Sequence, residues 1–595
     1  MQGEKVMLQT QKEMNNSDEI LYKFDLKDLG EKFDLKEPRK VWVIFGKISG
    51  FDLENIVEAI DKTSIVFLAA MDKQYLLDMA EQFNEGQFIY AYANKPDNLA
   101  EIVTNKIDIQ KYDSWNPVIL KDNLLEDSQL MATFYRTLGA SLNFKILNRN
   151  TLTKSNTVFF ENGLINAALS VRRLYSKNSL VQSYDGRPIL IMAAGPSLDK
   201  QLSLIKKYEN LFRIFIVASA YRAVDKYDIK ADVVIVSDPL NIATWPQEVD
   251  TSILIDVGVD PAVAWKTPDD LILTTHSTHA KNVFDYLGCP IDYLGTGGSV
   301  ATSAFMLAKD LKSNPIVLIG QDLAITEEID HSKFHDGKIS AEERFIDKLL
   351  SFEVDGYYDG PKVYCPRDFM MFKHWFENQI KSDKKTLVFN CTEGGVRIEG
   401  ATQLPFEDLC IELEKFTNSR KPKYFDGYDK PLAKLSLSVL VARADRLKKD
   451  LLKLANDLKV ISRKIEKPNK IRNGSLYELI DKFNNGLSNL SPQVAGVLEL
   501  YSHGDVQNFL RDFSMDECSE KDIFSKKYLA IYKILISSID QAKCALDVAV
   551  NFYSLLASND FEERDTFHLN AEEVAFLRQF SSLDEKESEF LNTYK

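Results

Sequence analysis

Six short apolar runs between residues 185 and 415 constrain this chain more than any other feature: Ile189–Met192, Ile214–Val217, Val233–Val236, Ile253–Ile255, Leu271–Leu273 and Ile316–Ile319. None alternates with polar residues, so each reads as a strand covered on both faces by helices. Small or polar residues follow at once: AAGPS, ASAYR, SDP, DVG, TTHS and GQD. Ligands of open α/β sheets sit beyond the carboxyl ends of the strands, so chemistry is expected in these post-strand residues.

The flanks have a different texture. Upstream, Val41–Phe45, Ile65–Leu68 and Phe88–Tyr92 are β-rich and alternate with helical spacing at Asp52–Ile60 and Gln74–Gln82. That predicts a small α/β domain with a partly parallel sheet, followed by a mainly helical stretch over Leu130–Leu180. Downstream, Leu440, Leu447, Leu451, Leu454, Leu458 and Ile461 form an a/d stripe on one long helix. Further helices are expected at Leu476–Phe483, Lys526–Leu556 and Ala571–Phe580. The expected fold class is α/β with an all-helical C-terminal domain. The domains are read as 1–180, 185–415 and 425–595, with Asn418–Pro431 as the linker before the last. A chain cut near residue 425 is expected to keep a folded central domain.

Charge narrows the functional classes. Lys and Arg number 73 against 88 Asp and Glu, a net −15, which argues against a main role in gripping nucleic acid or an anionic membrane. The uncharged run Tyr293–Ala308 is too short and too rich in Gly, Ser and Thr to span a bilayer. The N-terminus is polar and lacks the apolar core of a signal peptide. Six cysteines without a C-x-x-C read as reduced thiols, so a cytoplasmic protein is expected.

Five segments can carry chemistry. In RPILIMAAGPSLDK (187–200), Gly195, Pro196 and Ser197 join a strand to a helix whose first N–H groups can hold a phosphate; an ordinary βα turn is the bland alternative. No P-loop is present. Asp238, in SDP, can bind a ribose hydroxyl or a metal, or merely start a turn before Pro239. Thr296, Gly297, Gly298 and Ser299 precede another helix, which Ser299 can cap. Gln321 and Asp322 end a buried strand, and His331 and His335 lie in the polar loop after it; a histidine there suits a general base. Glu393, before paired glycines, is an acid/base or a turn cap. His276 and His279 read as exposed side chains.

Taken in order, AGPSLD at 194–199, SDP at 237–239, GTGGSVA at 295–301, IGQDLA at 319–324 with His331–Ser332 following, and NCTEGGVRIEGA at 390–401 resemble the motility-associated factor (Maf) family of flagellin glycosyltransferases. The central domain is similar to bacterial CMP-sialic acid sialyltransferases, a Rossmann-like, GT-A-like fold. The resemblance implies a cytoplasmic O-glycosyltransferase that moves a nonulosonic acid, pseudaminic or legionaminic, from its CMP form to Ser or Thr of flagellin, as flagellar assembly and motility require. It implies that Gly195, Pro196, Ser197 and Ser219 line the nucleotide with Asp238 and Gln321 nearby. Thr296–Ser299 would approach phosphate and sugar, and His331, Asp322 and Glu393 would supply the catalytic groups. No cofactor is expected, and the missing Asp-x-Asp agrees with a metal-independent enzyme. One departure is Ala194, where the sialyltransferases carry Asn. Gly195→Val is expected to block the nucleotide while sparing the fold. Two alternatives accompany this reading: a 6-hydroxymethyl-dihydropterin pyrophosphokinase-like enzyme with Asp238 and Asp322 as Mg²⁺ ligands, and a non-catalytic flagellin-binding scaffold.

Overall fold

The computed structural model describes residues 39–83, 88–107, 112, 114–118, 128–172, 174–237, 251–265, 271–325, 352–415, 432, 435–467, 473–512, 520–564 and 569–578. Asp238, His331, His335 and the linker read at 418–431 lie outside the described residues.

The first region is a four-stranded sheet of β1 (Lys40–Phe45), β2 (Ile65–Ala70), β3 (Phe88–Tyr92) and β4 (Ser114–Val118), in the order β3-β2-β1-β4. All three pairings are parallel. Helices Gly50–Ala59, Lys73–Gln82 and Pro96–Lys106 make the crossovers. Successive β1 residues point to opposite faces, so Val41, Val43 and Phe45 enter one core and Trp42 and Ile44 the other. β4 contains Pro117, which has no N–H to donate and is tolerated because the strand is at the sheet edge.

The helix Ser128–Asn166 leads into the central region. There a nine-stranded sheet is formed by β5 (Ile189–Met192), β6 (Arg213–Val217), β7 (Val233–Val236), β8 (Ser252–Asp256), β9 (Leu271–Thr275), β10 (Asp292–Tyr293), β11 (Ile316–Ile319), β14 (Val388–Asn390) and β15 (Thr402–Gln403). Its order is β10-β9-β8-β7-β6-β5-β11-β14-β15, with every pairing parallel. β12 (Phe352–Val354) and β13 (Val363–Cys365) form a separate antiparallel pair. All six apolar runs are strands, and β5, β6, β7, β8, β9 and β11 are buried throughout.

The last region contains helices Leu437–Glu466, Asn473–Ser488, Pro492–Asp512, Glu520–Ser558 and Ala571–Arg578. The leucine stripe from Leu440 to Ile461 is buried along its whole length.

Two expectations need correction. Residues 160–180 pack with the central sheet rather than with the first: Tyr175 N–H donates to Leu271 O at 2.9 Å, and Leu164, Leu169 and Leu174 join the central core. The helical region continues that same core. Trp265 meets Phe552 and Phe561 edge-on, with ring centroids 5.4 and 5.7 Å apart, and Phe160 meets Tyr501 at 5.9 Å. A cut near residue 425 would therefore strip the cover from Trp265 and Phe160.

Candidate functional site

From β5 the chain advances strand by strand to β10, then returns to the other side of β5 as β11. The loops leaving β5 and β11 diverge, and an open parallel sheet forms its ligand crevice at such a switch point. The diverging loops are Ala193–Ser197 and Gly320–Ala324.

The two loops meet through Asp322. Its Oδ2 accepts the Ser197 hydroxyl at 2.7 Å, and Ser197 N–H lies 3.3 Å from both carboxylate oxygens. Asp322 is 2% exposed, and this burial pushes its carboxyl up to about 6 against the opposing pull of the Ser197 bonds. Close backbone approach makes room for it. A Cβ on Gly195 would lie 2.0 Å from Asp322 Oδ2 and 2.4 Å from Gly320 O, and one on Gly395 (φ +69°) would lie 2.0 Å from Asp322 O.

Two sequence expectations change here. The absent side chain of Gly195 accommodates Asp322 and Gly320, so Gly195→Val would disturb the fold itself. The N–H of Ser197, at the start of helix Leu198–Tyr208, already faces a carboxylate where a phosphate was expected. Pro196 is buried in the turn.

Behind the corner, Gln321 N–H donates to the Thr392 hydroxyl at 3.2 Å, and the buried Oε1 of Gln321 has no hydrogen-bond partner among the described residues. Glu393 Oε1 accepts Gln201 Nε2 and the Phe406 N–H, both at 2.9 Å. Phe406 starts the helix Phe406–Glu414, so Glu393 holds the start of that helix.

The Thr296–Ser299 turn starts helix Val300–Asp310, which runs from the carboxyl edge of the sheet back to β11. Ser299 and Thr302 form a reciprocal capping box. Thr302 Oγ1 also accepts the N–H of Gly297 at 2.8 Å, and Thr296 Oγ1 that of Gly298 at 3.1 Å. Thr296 and Gly298 are exposed, whereas Gly297 is buried against Trp375. Ser219 lies half-buried in a single turn after β6. The described site residues therefore all lie on loops around the sheet's carboxyl edge, with Ser197 and Asp322 in direct contact.

His276 departs from its bland reading. Its Nδ1 lies 2.8 Å from Leu294 O, and its Nε2 lies 3.6 Å from Asp256 Oδ2. Asp256 is 3% exposed, and burial pushes its carboxyl up against the pull of His276. With both imidazole nitrogens facing protein acceptors, His276 ties β8 and β9 to the residue before the Gly295 turn. The THSTH segment gives no sign of this pairing, because Asp256 is twenty residues upstream and on another strand. Among the described residues no group of three or more His, Cys, Asp or Glu is arranged to hold a metal ion.

Residues 162–328 match the family described as 6-hydroxymethylpterin diphosphokinase MptE-like. That stretch takes in both β5 and β11, the two strands of the switch point. An MptE-like domain is the one found in motility-associated factor proteins, and here it covers the motifs at 194–199, 237–239, 295–301 and 319–324 that carry that resemblance. Of the solved structures, "Structure of MAf glycosyltransferase from Magnetospirillum magneticum AMB-1" is similar over 94% of this chain and 86% of that one, at 14% identity and a TM-score of 0.46. No curated protein matches the chain. The corner of Gly195, Ser197 and Asp322 lies within the matched stretch, and β14 with its Thr392–Gly395 loop completes it from beyond that stretch. No helix among the described residues is long and apolar enough to cross a membrane.

Proposed function

We propose that this chain is a glycosyltransferase that moves a nonulosonic acid of the pseudaminic or legionaminic type from its CMP form to Ser or Thr hydroxyls of flagellin in the cytoplasm. The observation that carries the reading is the switch-point corner of an MptE-like domain, where Ser197 and Asp322 lock the two diverging loops together. The nucleotide lies beside the half-buried Gly195 and Ser219, and the Thr296–Ser299 turn approaches the phosphate and sugar. In the reaction the acceptor oxygen bonds to C2 of the sugar as the C2–O bond to CMP breaks. Charge builds on the departing phosphate, and the hydroxyls of the exposed Thr296 and the half-buried Ser219 can stabilise it. Asp322 is a positioning residue in this scheme. The reading invokes no metal and no cofactor.

Calorimetry with CMP, and intact-mass analysis of flagellin incubated with a CMP-nonulosonic acid and this protein, test the reading. Micromolar CMP binding and a mass increase of one sugar residue per site, unaffected by a chelator, are expected; neither binding nor transfer would refute it. The description of the matched family favours a second reading, diphosphate transfer from ATP to a hydroxymethyl pterin with Asp322 as a Mg²⁺ ligand. Pterin diphosphate formation that stops on chelation would establish that reading instead.

A further inference from the structure

A cleft of about 230 Å³ opens between the β12–β13 pair, the helix Arg367–Ser382, the Arg397–Glu399 segment and Thr137 of the helix Ser128–Asn166. It adjoins the corner of the proposed donor site through the segment that leaves Gly395. Val396 N–H donates to Asp322 O at 2.8 Å and Arg397 N–H to Asp355 O at 2.9 Å, so the chain that leaves the corner runs directly into the cleft's lining. The helix Arg367–Ser382 turns Lys373 and His374 toward the cleft, while its Trp375 backs Gly297 and its Phe372 backs Gly298.

The charges of the cleft are already compensated. Lys362 pairs with Asp355 at 2.7 Å, Arg397 with Glu399 at 3.0 Å, and Lys373 with Glu377. Glu353 at the rim is exposed. No excess of positive charge awaits a phosphate, and the volume is below the roughly 300–1,000 Å³ of a drug-sized ligand site. Such a space suits one uncharged side chain with its flanking backbone. His374 lines it and makes no hydrogen bond among the described residues. Burial lowers its proton affinity below the ordinary 6.5, with Glu377 opposing and Lys373 adding to the shift. At neutral pH the imidazole is therefore unprotonated and able to accept.

We propose that this cleft receives the hydroxyl-bearing polypeptide segment of the acceptor and that His374 is its general base. The inference rests on the transferase reading above and replaces His331 in that role. As the acceptor oxygen bonds to C2, its proton passes to an imidazole nitrogen of His374, and the electron pair of the breaking C2–O bond leaves on the CMP phosphate. No other reactant is consumed.

The test uses the full chain, a CMP-nonulosonic acid and flagellin, with transfer read by intact mass. His374→Gln and His374→Ala should each lose about 10²–10⁴-fold in kcat, the usual worth of a positioned base. Their CMP affinity, read by calorimetry, should stay within about twofold, and added imidazole should restore part of the His374→Ala rate. The parent's kcat/KM should fall below a pH under 6.5, a limb absent from both variants. That limb is read on the unmodified protein, so it tests the proposal even where a variant fails to fold, and its absence overturns it. Unchanged transfer by His374→Gln, or a loss in His331→Ala alone, would also sink it while leaving the transferase reading intact. A parent protein that neither binds CMP nor transfers would remove both.

Discussion

Asp322 costs the fold something at neutral pH. Its carboxyl titrates at about 6 in the folded protein against 3.8 ordinarily, so the folded state binds the proton more tightly than the unfolded chain. A raised carboxyl favours the fold where it is protonated, and that advantage is lost as pH rises from about 4 to about 6. Above this window the cost is roughly 3 kcal/mol at about 1.36 kcal/mol per unit. Asn keeps an acceptor for Ser197 and removes the charge. Asp322→Asn should therefore melt higher than the parent at pH 8 and converge with it near pH 4; a variant melting lower at both would show that the hydrogen bonds outweigh the burial cost. Gly195 gives the opposite case. A methyl group 2.0 Å from Asp322 Oδ2 must displace either the carboxylate or the turn. Gly195→Ala should lose about 1–3 kcal/mol in denaturant unfolding, the usual cost of overpacking.

The elements differ in how plainly the sequence announces them. β5, β6, β7, β8, β9 and β11 are buried on both faces, so their apolar runs were unambiguous, as was the stripe of Leu437–Glu466. β4 was hidden by its proline, and β10, β14 and β15 span only two or three residues. The helix Pro492–Asp512 is faint in the sequence because Gly496 and Gly504 weaken its pattern. One of those glycines has a packing reason: a Cβ at Gly496 would lie 2.6 Å from His279 O on the helix Thr278–Leu287. Gly496→Val should lower stability by about 1–3 kcal/mol and loosen this crossing, seen as faster amide exchange in both helices. The candidate site was legible at its loops, since small residues after strands are visible in one dimension. The Ser197–Asp322 contact spans 125 positions, the Asp256–His276 pair joins different strands, and His374 sits in an aromatic-rich helix resembling core, so none of these was visible in the sequence.

At the scale of the whole molecule, the first sheet has its own pair of apolar cores, whereas the central sheet and the helical region share one. Truncation after residue 425 should therefore give a chain that binds a hydrophobic dye, loses near-UV dichroism and fails to bind CMP. A truncated chain with a sharp thermal transition and CMP binding would show that the shared core is dispensable.

The buried thiols turn this architecture into its own clock. Cys289 contacts Ala167 beneath the helical region, Cys365 ends β13 beside the cleft, Cys391 follows β14 at the corner, and Cys410 lies in the helix that Glu393 holds; all four are buried, while Cys544 is exposed. A small alkylating reagent can reach the buried sulfurs only when their surroundings open. The order in which they acquire label, read by peptide mass against the immediate reaction of Cys544, would show which part yields first and whether occupying the crevice slows Cys391 before the others.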